Sequence, residues 1–264
     1  MVFETELVLT LEQSAQDGFL ERALSAQLDK KNEPFTFRIL RRSIDARGRA
    51  VKWNYKIKVY TNGAEPEPEY AHRDFQPVQS NRCVVIVGAG PAGLFAALKL
   101  IEAGVKPIIV ERGKDVRARR RDLAAIHKEH RVNPDSNYCF GEGGAGTYSD
   151  GKLYTRSTKR GDVRSVLETL VQFGASTDIL IDAHPHIGTN KLPGIIAAMR
   201  ESIIACGGEV HFQSRVEDIV LDGAVVSALR LSDGRLVSGD AYILATGHSA
   251  RDIYELLHKR QVVL

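Results

Sequence analysis

The chain has 264 residues, of which 43% are hydrophobic and 26% are charged, and its formal net charge at pH 7 is +3. This composition is ordinary for a soluble globular protein of one large or two modest domains, and no stretch has the length and apolarity of a transmembrane span. The three cysteines, Cys83, Cys139 and Cys206, form no C-x-x-C pair, so neither a redox-active disulfide nor a zinc site is indicated.

Residues 1–62 predict a small α+β domain. The opening MVFETELVLT lacks the basic start and apolar core of a signal peptide, which favours a cytoplasmic protein. Strands are predicted at 3–9, 35–40 and 51–60, and a helix at 14–28. The order βαββ favours a ferredoxin-like layer, and Arg47-Gly48 is predicted to turn the last hairpin. The proline-containing segment 63–80 is predicted to be an extended linker to a second domain, 81–264.

The first domain carries a basic run with a single acidic residue, Asp45. Trp53 and Tyr55 share its last strand but lie on the opposite face by alternation, so we expect them in the core. A solvated basic face is the simpler interpretation, and RNA binding is the alternative. The basic residues are Arg38, Arg41, Arg42, Arg47, Arg49, Lys52, Lys56 and Lys58.

Residues 83–113, CVVIVGAGPAGLFAALKLIEAGVKPIIVERG, predict a strand, a glycine turn, a helix and a second strand. Gly88, Gly90 and Gly93 fit G-x-G-x-x-G, in which the glycines permit a tight turn, the approach of a pyrophosphate and close helix packing. Glu111 ends the second strand 18 residues after Gly93, where an acidic residue accepts a hydrogen bond from a ribose 2′-OH. An unphosphorylated ribose, in FAD or NAD, is therefore favoured over NADP, although Arg112 weakens this preference.

Downstream, a basic helix is predicted at 116–129, and the glycine-rich stretch 137–153 is expected to pass close to something flat or anionic. Helices are predicted at 162–173 and 191–206, and a short strand at 209–212. A β-meander follows at 216–221, 224–231 and 235–237, turned by Asp222-Gly223 and Asp233-Gly234. A buried strand at 241–244 runs into Ala-Thr-Gly-His. The fold class is therefore α/β, with a Rossmann-like parallel sheet, inserted helices and a β-meander, after the small βαββ domain.

Five segments resemble a bacterial group of uncharacterised FAD-dependent dehydrogenases, also described as NAD(P)/FAD-dependent oxidoreductases, which have a glutathione-reductase-like FAD domain. The segments are RRSIDAR (41–47), VGAGPAGLFAAL (87–98), FGEGGAGTYSDGKL (140–153), PHIGTNKL (185–192) and ATGHSARD (245–252). The resemblance covers nearly the whole chain, and the glycine-rich and late motifs are long and unusual.

This resemblance implies an FAD site. Gly88, Gly90, Pro91, Ala92 and Gly93 would face the pyrophosphate, Glu111 the adenosine ribose, and Arg112 and Arg119 the phosphates. Gly143, Gly144, Ala145 and Ser149 would line the flavin side, the backbone of Val216 would meet adenine, and Ala245, Thr246 and Gly247 would close over the cofactor. Members of the group are longer than this chain, so we expect a fragment or truncated product with impaired activity. An exposed apolar surface at the truncation is expected to promote self-association.

The chemistry is expected to be hydride transfer between FAD and an unknown small-molecule substrate or NAD(P)H, with catalytic residues unidentified. His184 and His186 flank Pro185 at a spacing that could hold a metal, but two ligands make a weak site, and surface histidines are the simpler interpretation. His248 could donate to the flavin or could satisfy local backbone. Ser249 and Asp252 are expected to cap the last helix. The alternative function is a flavin-binding protein with an RNA-binding N-terminal domain.

Overall fold

A computed structural model describes residues 1–28, 34–155, 161–188 and 190–262, and these contain ten strands and seven α-helices. The strands are β1 (Val2–Thr10), β2 (Phe35–Asp45), β3 (Lys52–Thr61), β4 (Cys83–Val87), β5 (Lys106–Val110), β6 (Glu209–His211), β7 (Val216–Asp222), β8 (Val225–Leu231), β9 (Leu236–Val237) and β10 (Ala241–Leu244). The helices are α1 (Leu11–Ser14), α2 (Phe19–Gln27), α3 (Pro91–Glu102), α4 (Val116–Glu129), α5 (Val163–Gln172), α6 (Leu192–Ala205) and α7 (Arg251–Lys259). None of these helices is long and apolar enough to cross a bilayer.

The chain divides into two compact units, one formed by Met1–His72 with Lys152–Ile187 and the other by Arg73–Gly151 with Gly188–Leu264. Thr189 of the PHIGTNKL motif lies outside the described residues. The predicted second domain, 81–264, includes residues 152–187, whereas in the structure this segment belongs to the first compact unit. The predicted domain limits themselves stay a prediction.

The first unit contains an antiparallel sheet of order β1-β3-β2. This is the strand order of the first four elements of a ferredoxin-like unit, so the predicted βαββ arrangement is confirmed. The single predicted helix is instead two, α1 and α2, and Gly18 before α2 is left-handed with φ 68°. On β3, Tyr55, Ile57 and Val59 are buried, as the alternation predicts, and they pack with Leu24 of α2. Strand β2 extends beyond the predicted residue 40 because it stays paired with β3 as far as Asp45.

The second unit contains the predicted parallel sheet, of order β10-β4-β5-β6, and the predicted meander β7-β8-β9. The meander packs on the sheet and α7 through a common apolar cluster that includes Val85, Leu229 and Ile253. In the register, Val87 at the end of β4 is paired with Val110 of β5 and with Leu244 of β10. The next residues of all three strands therefore leave the sheet at the same carboxyl edge, which is where open α/β sheets bind ligands.

Candidate functional site

A cavity of about 470 Å³ opens at this carboxyl edge, and residues of the second unit alone line it. Its volume lies in the usual range for small-molecule and cofactor sites. Twelve of the sixteen residues predicted to bind the cofactor line the cavity: Gly88, Gly90, Pro91, Ala92, Glu111, Arg112, Gly144, Ala145, Val216, Ala245, Thr246 and Gly247. The other four, Gly93, Arg119, Gly143 and Ser149, are not among its lining residues.

Two glycines at the turn between β4 and α3 have no room for a side chain. Gly88 has φ 108°, and a Cβ there would lie 2.5 Å from the carbonyl oxygen of Ala245. A Cβ on Gly93 would overlap the carbonyl oxygen of Gly88, so Gly93 lets α3 pack against the turn, as predicted, without reaching the cavity. Helix α3 begins at Pro91 after Gly90 and has no side-chain cap. Its N-terminal turn borders the cavity, where uncapped amides and the helix dipole favour an anion.

The carboxylate of Glu111 connects three backbone segments around the cavity. Its Oε2 accepts the N–H of Ala89 at 2.7 Å, and its Oε1 accepts the N–H groups of Gly113 at 2.8 Å and Gly141 at 3.0 Å. The side chain is only 4% exposed, yet it lines the cavity. Glu111 therefore fixes the glycine turn and the glycine-rich loop in addition to facing the predicted ribose position.

Arg112 lies in a network of aromatic and acidic groups at one end of the cavity. Its guanidinium centre is 4.2 Å from the ring centroid of Phe140. It pairs with Asp135 at 3.2 Å and with Asp252 at 2.9 Å. Arg215, which also lines the cavity, pairs with Asp135 at 3.2 Å. The charge of Arg112 is thus balanced by two carboxylates, which makes it a poor receptor for an additional 2′-phosphate.

Arg119 is 0% exposed and binds the backbone of the glycine-rich loop. Its donors reach the carbonyl oxygens of Asn137, Tyr138, Gly141 and Glu142 and the hydroxyl of Thr147, at 2.7–3.3 Å. Burial lowers the pKa of Arg119. The predicted contact with cofactor phosphates is therefore corrected: the guanidinium is committed to loop carbonyls and positions the loop.

Glu142 anchors the same loop from the other side and is also fully buried. Its Oε2 accepts the N–H of Val116 at the start of α4 at 2.8 Å, and Arg200 of α6 donates to Oε1 and Oε2 at 2.9 and 2.7 Å. Burial raises the pKa of Glu142. The N–H of Gly143 donates to Ala89 at 2.8 Å, which joins the loop to the glycine turn.

The remaining predicted loop residues take different positions. Gly143 has φ 79°, and a Cβ there would collide with Thr147 and Ile196, so packing requires a glycine. Ser149 donates through Oγ to the carbonyl of Gly146 at 2.7 Å, within the loop. Neither Gly143 nor Ser149 is among the lining residues of the cavity, and their direct contact with a flavin stays a prediction. Gly144 and Ala145 do line it.

The ATGHSARD motif closes the cavity after β10. His248 and Ser249 line it together with Tyr254 of α7. The expectation that Ser249 and Asp252 cap α7 is wrong: the helix begins after Ala250 without a side-chain cap, and Asp252 pairs with Arg112 instead. Sequence reasoning missed Arg215, Tyr254, Asp135 and Glu142. For Glu142 the only available signal was an acidic residue between glycines.

Four of the eight residues of the basic run are ion-paired within the described part of the chain. Arg42 pairs with Asp182 at 2.7 Å and with Asp178 at 3.2 Å. The other ion pairs are Arg47 with Asp45, Lys56 with Glu4, and Lys58 with Glu67. Arg38 donates to the backbone carbonyls of Pro68 and Glu69, which leave its charge uncompensated. The ion pairs therefore reduce the positive charge that the run offers to a nucleic-acid phosphate. Among the described residues, no three His, Cys, Asp or Glu side chains converge into a possible metal site.

Comparisons with known protein families match two parts of the chain. A model described as "FAD binding domain" matches residues 82–125, and one described as "Domain of unknown function (DUF8436)" matches residues 1–60. The first match covers the glycine turn, α3, Glu111 and most of α4. Residues 82–125 are therefore similar to an FAD-binding domain, and the predicted resemblance to FAD-binding flavoproteins is confirmed.

An uncharacterized protein of Clostridium beijerinckii is 36% identical over 260 residues, which cover 92% of this chain and 48% of that protein. The chain thus spans about half the length of this curated relative. Among solved structures, Thermovibrio ammonificans THI4 is similar at 18% identity and a TM-score of 0.45, over 69% of this chain and 64% of that one. Glycine oxidase from Bacillus cereus is similar at 16% identity and a TM-score of 0.35, over 69% and 59% of the two chains.

Proposed function

We propose that the cavity of the second unit binds FAD and that the protein acts as an oxidoreductase, with hydride passing between the flavin and a small-molecule substrate or NAD(P)H. The observation that carries this proposal is the convergence of the glycine turn, Glu111 and the glycine-rich loop on one cavity, the first two lying within the segment 82–125 that matches an FAD-binding domain. Bound FAD supplies the hydride chemistry, and the protein binds and orients it.

Different groups of lining residues suit different parts of FAD. The N-terminal turn of α3 suits the pyrophosphate, because uncapped amides and the helix dipole favour an anion. Glu111 suits the adenosine ribose, since a carboxylate accepts from its hydroxyls. Val216 and the stacked Arg112–Phe140 pair suit adenine at the same end. Gly144 and Ala145 would then lie towards the flavin, with residues 245–247 over the cofactor.

The choice of FAD over NAD is tested by isothermal titration calorimetry on the apoprotein. We expect FAD to bind more tightly than NAD, because Gly144 and Ala145 of the glycine-rich loop, which the resemblance assigns to the flavin side, line the same cavity as Glu111. Tighter binding of NAD would overturn the assignment of the cofactor.

The oxidoreductase activity is tested by the absorbance spectrum of the FAD-loaded protein before and after anaerobic addition of NADH or NADPH. Bleaching of the flavin band by one of them, faster than for free FAD, supports hydride transfer from a nicotinamide donor. If neither donor bleaches the band and dithionite does, electrons must enter from a different reductant, and the NAD(P)H part of the proposal fails while FAD binding stands.

A further inference from the structure

The charged side chains that line the cavity of the second unit balance one another. Two are acidic and two are basic, so their formal charges cancel while His248 is neutral. Each arginine is already paired with two carboxylates, at 2.6–3.2 Å. Neither arginine is therefore an unpaired cation for the diphosphate of a dinucleotide, and the N-terminal turn of α3 supplies only a partial charge. The four residues are Glu111, Arg112, Arg215 and Asp252.

Among the described residues that line the cavity, His248 is the one other side chain that becomes a cation near neutral pH. It is exposed, and its Nε2 lies 3.4 Å from the hydroxyl oxygen of Ser249. Within the described part of the chain, the imidazole forms no ion pair with a carboxylate. A proton that it gains is therefore not already compensated by the protein.

The chain leads from the glycine turn to His248 in a few residues. A Cβ on Gly88 would lie 2.5 Å from the carbonyl oxygen of Ala245 and 3.5 Å from Thr246 Cα. The turn that faces the proposed diphosphate is thus in direct contact with the segment that follows β10. Gly247 comes next, with φ 73°, and two residues span at most about 7 Å. The His248 imidazole is therefore within reach of the diphosphate.

We propose that His248 binds the diphosphate of the dinucleotide as an imidazolium and takes up a proton when the ligand enters. This inference rests on the proposed function, because the diphosphate is that of FAD. A hydrogen bond from a cation to a phosphate oxygen is about twice as strong as a neutral one. The ligand therefore favours the protonated ring, and by linkage protonation favours the ligand. Affinity is highest where the ring is already protonated in the free protein, and it declines as the pH rises.

The other groups around the cavity do not produce this pH dependence. An imidazole ordinarily titrates near about pH 6.5, whereas carboxyl groups titrate near about pH 4 and thiols and phenols above about pH 8. Glu142 lies behind the glycine-rich loop, and burial raises its pKa. Its protonation would weaken the bonds from Arg200 that anchor the loop, so it would lower the affinity at low pH, the opposite of the effect of His248. The charged and titratable side chains that line the cavity with His248 are Glu111, Arg112, Cys139, Arg215, Asp252 and Tyr254.

The test is isothermal titration calorimetry of the apoprotein with ADP-ribose between about pH 5.5 and 8. ADP-ribose carries the adenosine and diphosphate of FAD without the flavin, and its diphosphate does not titrate in this range. We expect an affinity about five- to tenfold higher at the lowest pH than at the highest, and FAD should show the same trend. Near the middle of the range, titrations in two buffers of different ionisation enthalpy should show a net uptake of protons.

Three variants separate the charge of His248 from its shape. His248→Gln should abolish the pH dependence and keep the affinity at its high-pH value. His248→Lys supplies a permanent cation, so at high pH it should bind as tightly as the parent chain does at low pH. His258→Gln changes the same residue type at an exposed position of α7 outside the cavity, and it should behave like the parent chain. Unchanged amide NMR spectra verify that the variants fold.

The outcomes distinguish this inference from the proposed function. If the parent chain binds ADP-ribose equally at every pH or without proton uptake, or if His248→Gln retains the pH dependence, His248 does not bind the diphosphate as a cation, and the dinucleotide site stands without it. If the parent chain binds neither ADP-ribose nor FAD at any pH, the proposed function fails together with the inference.

Discussion

Glu111 holds three backbone segments together and is also proposed to bind a ribose, and its spacing from the glycine motif indicates only the second role. Its position 18 residues after Gly93 predicts a contact with ribose, and the cavity places its carboxylate where that contact is proposed. The hydrogen bonds that it accepts from three backbone N–H groups were not predictable, because one donor, the N–H of Gly141, is 30 residues further along the chain. Local patterns identify such a residue, but its long-range bonds depend on how the loop folds back.

We expect Glu111→Ala to lower the free energy of unfolding by about 3 kcal/mol or more, since three buried N–H groups would each lose an acceptor worth about 1–3 kcal/mol. FAD affinity should fall by roughly ten- to a hundredfold, because a hydrogen bond to a charged group is also lost. Urea unfolding and a flavin fluorescence titration measure the two effects.

The control for this variant is Glu129→Ala, at an exposed position at the end of α4. FMN lacks the adenosine, so its binding separates the two roles of Glu111. If Glu111→Ala weakens FMN as much as FAD, the carboxylate acts only through the backbone that it supports. An unchanged affinity for FAD would remove Glu111 from the site.

At the scale of elements, the glycine-rich loop 137–153 is the part of the site that composition predicts only in outline. Its five glycines indicate a backbone that passes close to another group. The guanidinium of Arg119 is one such group, because it donates to the carbonyls of Gly141 and Glu142 within the loop. The helix that carries Arg119 was predicted with the observed limits, 116–129, but its periodicity does not reveal which arginine turns inward.

Gly144→Val should abolish flavin retention with little loss of fold. Gly144 has φ 68°, and a Cβ there would lie 3.2 Å from Pro91 Cδ, so the larger side chain would project against the turn that faces the pyrophosphate. Gly146→Val is the control, because no atom lies within 4 Å of a Cβ there and its φ is not left-handed. The flavin absorbance that remains after gel filtration measures retention; a yellow Gly144→Val protein would make the loop merely structural.

Arg119→Met should destabilise the protein and weaken FAD binding together, because four loop carbonyls lose the hydrogen bonds from this guanidinium in a buried environment. Arg120→Met, at the exposed neighbouring position on the same helix, should change neither. Thermal unfolding with and without FAD measures both quantities. Equal melting temperatures for the two variants would show that the loop does not depend on Arg119.

For the whole molecule, the sequence predicts all three sheets and the order of their strands along the chain, but not the composition of the first compact unit. That unit includes 152–187, which is joined to β2 by contacts such as Arg42 with Asp182, 140 residues apart. Hydrophobic periodicity predicts elements and their buried faces. It carries no signal for an ion pair between segments so far apart in the chain.

Because the cavity is lined by the second unit alone, FAD should slow amide hydrogen exchange there and leave β1, β2 and β3 unchanged. Protection is expected in the glycine turn at 88–93 and the loop at 141–145, since a ligand that binds only the folded state stabilises the elements that contact it. Mass spectrometry of peptic peptides measures it, with NADPH as the comparison ligand. Equal protection of β1–β3 would contradict a site confined to the second unit.

RNA binding by the first unit should be weak, because four of the eight residues of the basic run are already paired with carboxylates. In a fluorescence-anisotropy titration with a mixed RNA pool, we expect a shallow dependence of affinity on salt, since few phosphate contacts form. Lys52→Glu in β3 should then have little effect. A steep salt slope that this variant reduces would restore the nucleic-acid alternative.

The position of β4 in the parallel sheet also affects how the protein is synthesised. One edge of β4 pairs with β5 shortly downstream, but the other edge pairs with β10, and the bond from Cys83 to Asp240 beside that pairing spans 157 positions. At about 5–20 residues per second, the ribosome needs roughly 8–30 s to supply that partner. Throughout this interval the nascent chain presents an apolar strand edge, which is prone to association with other chains. The yield of folded protein should therefore rise when expression is slowed or a chaperone that holds nascent chains is abundant.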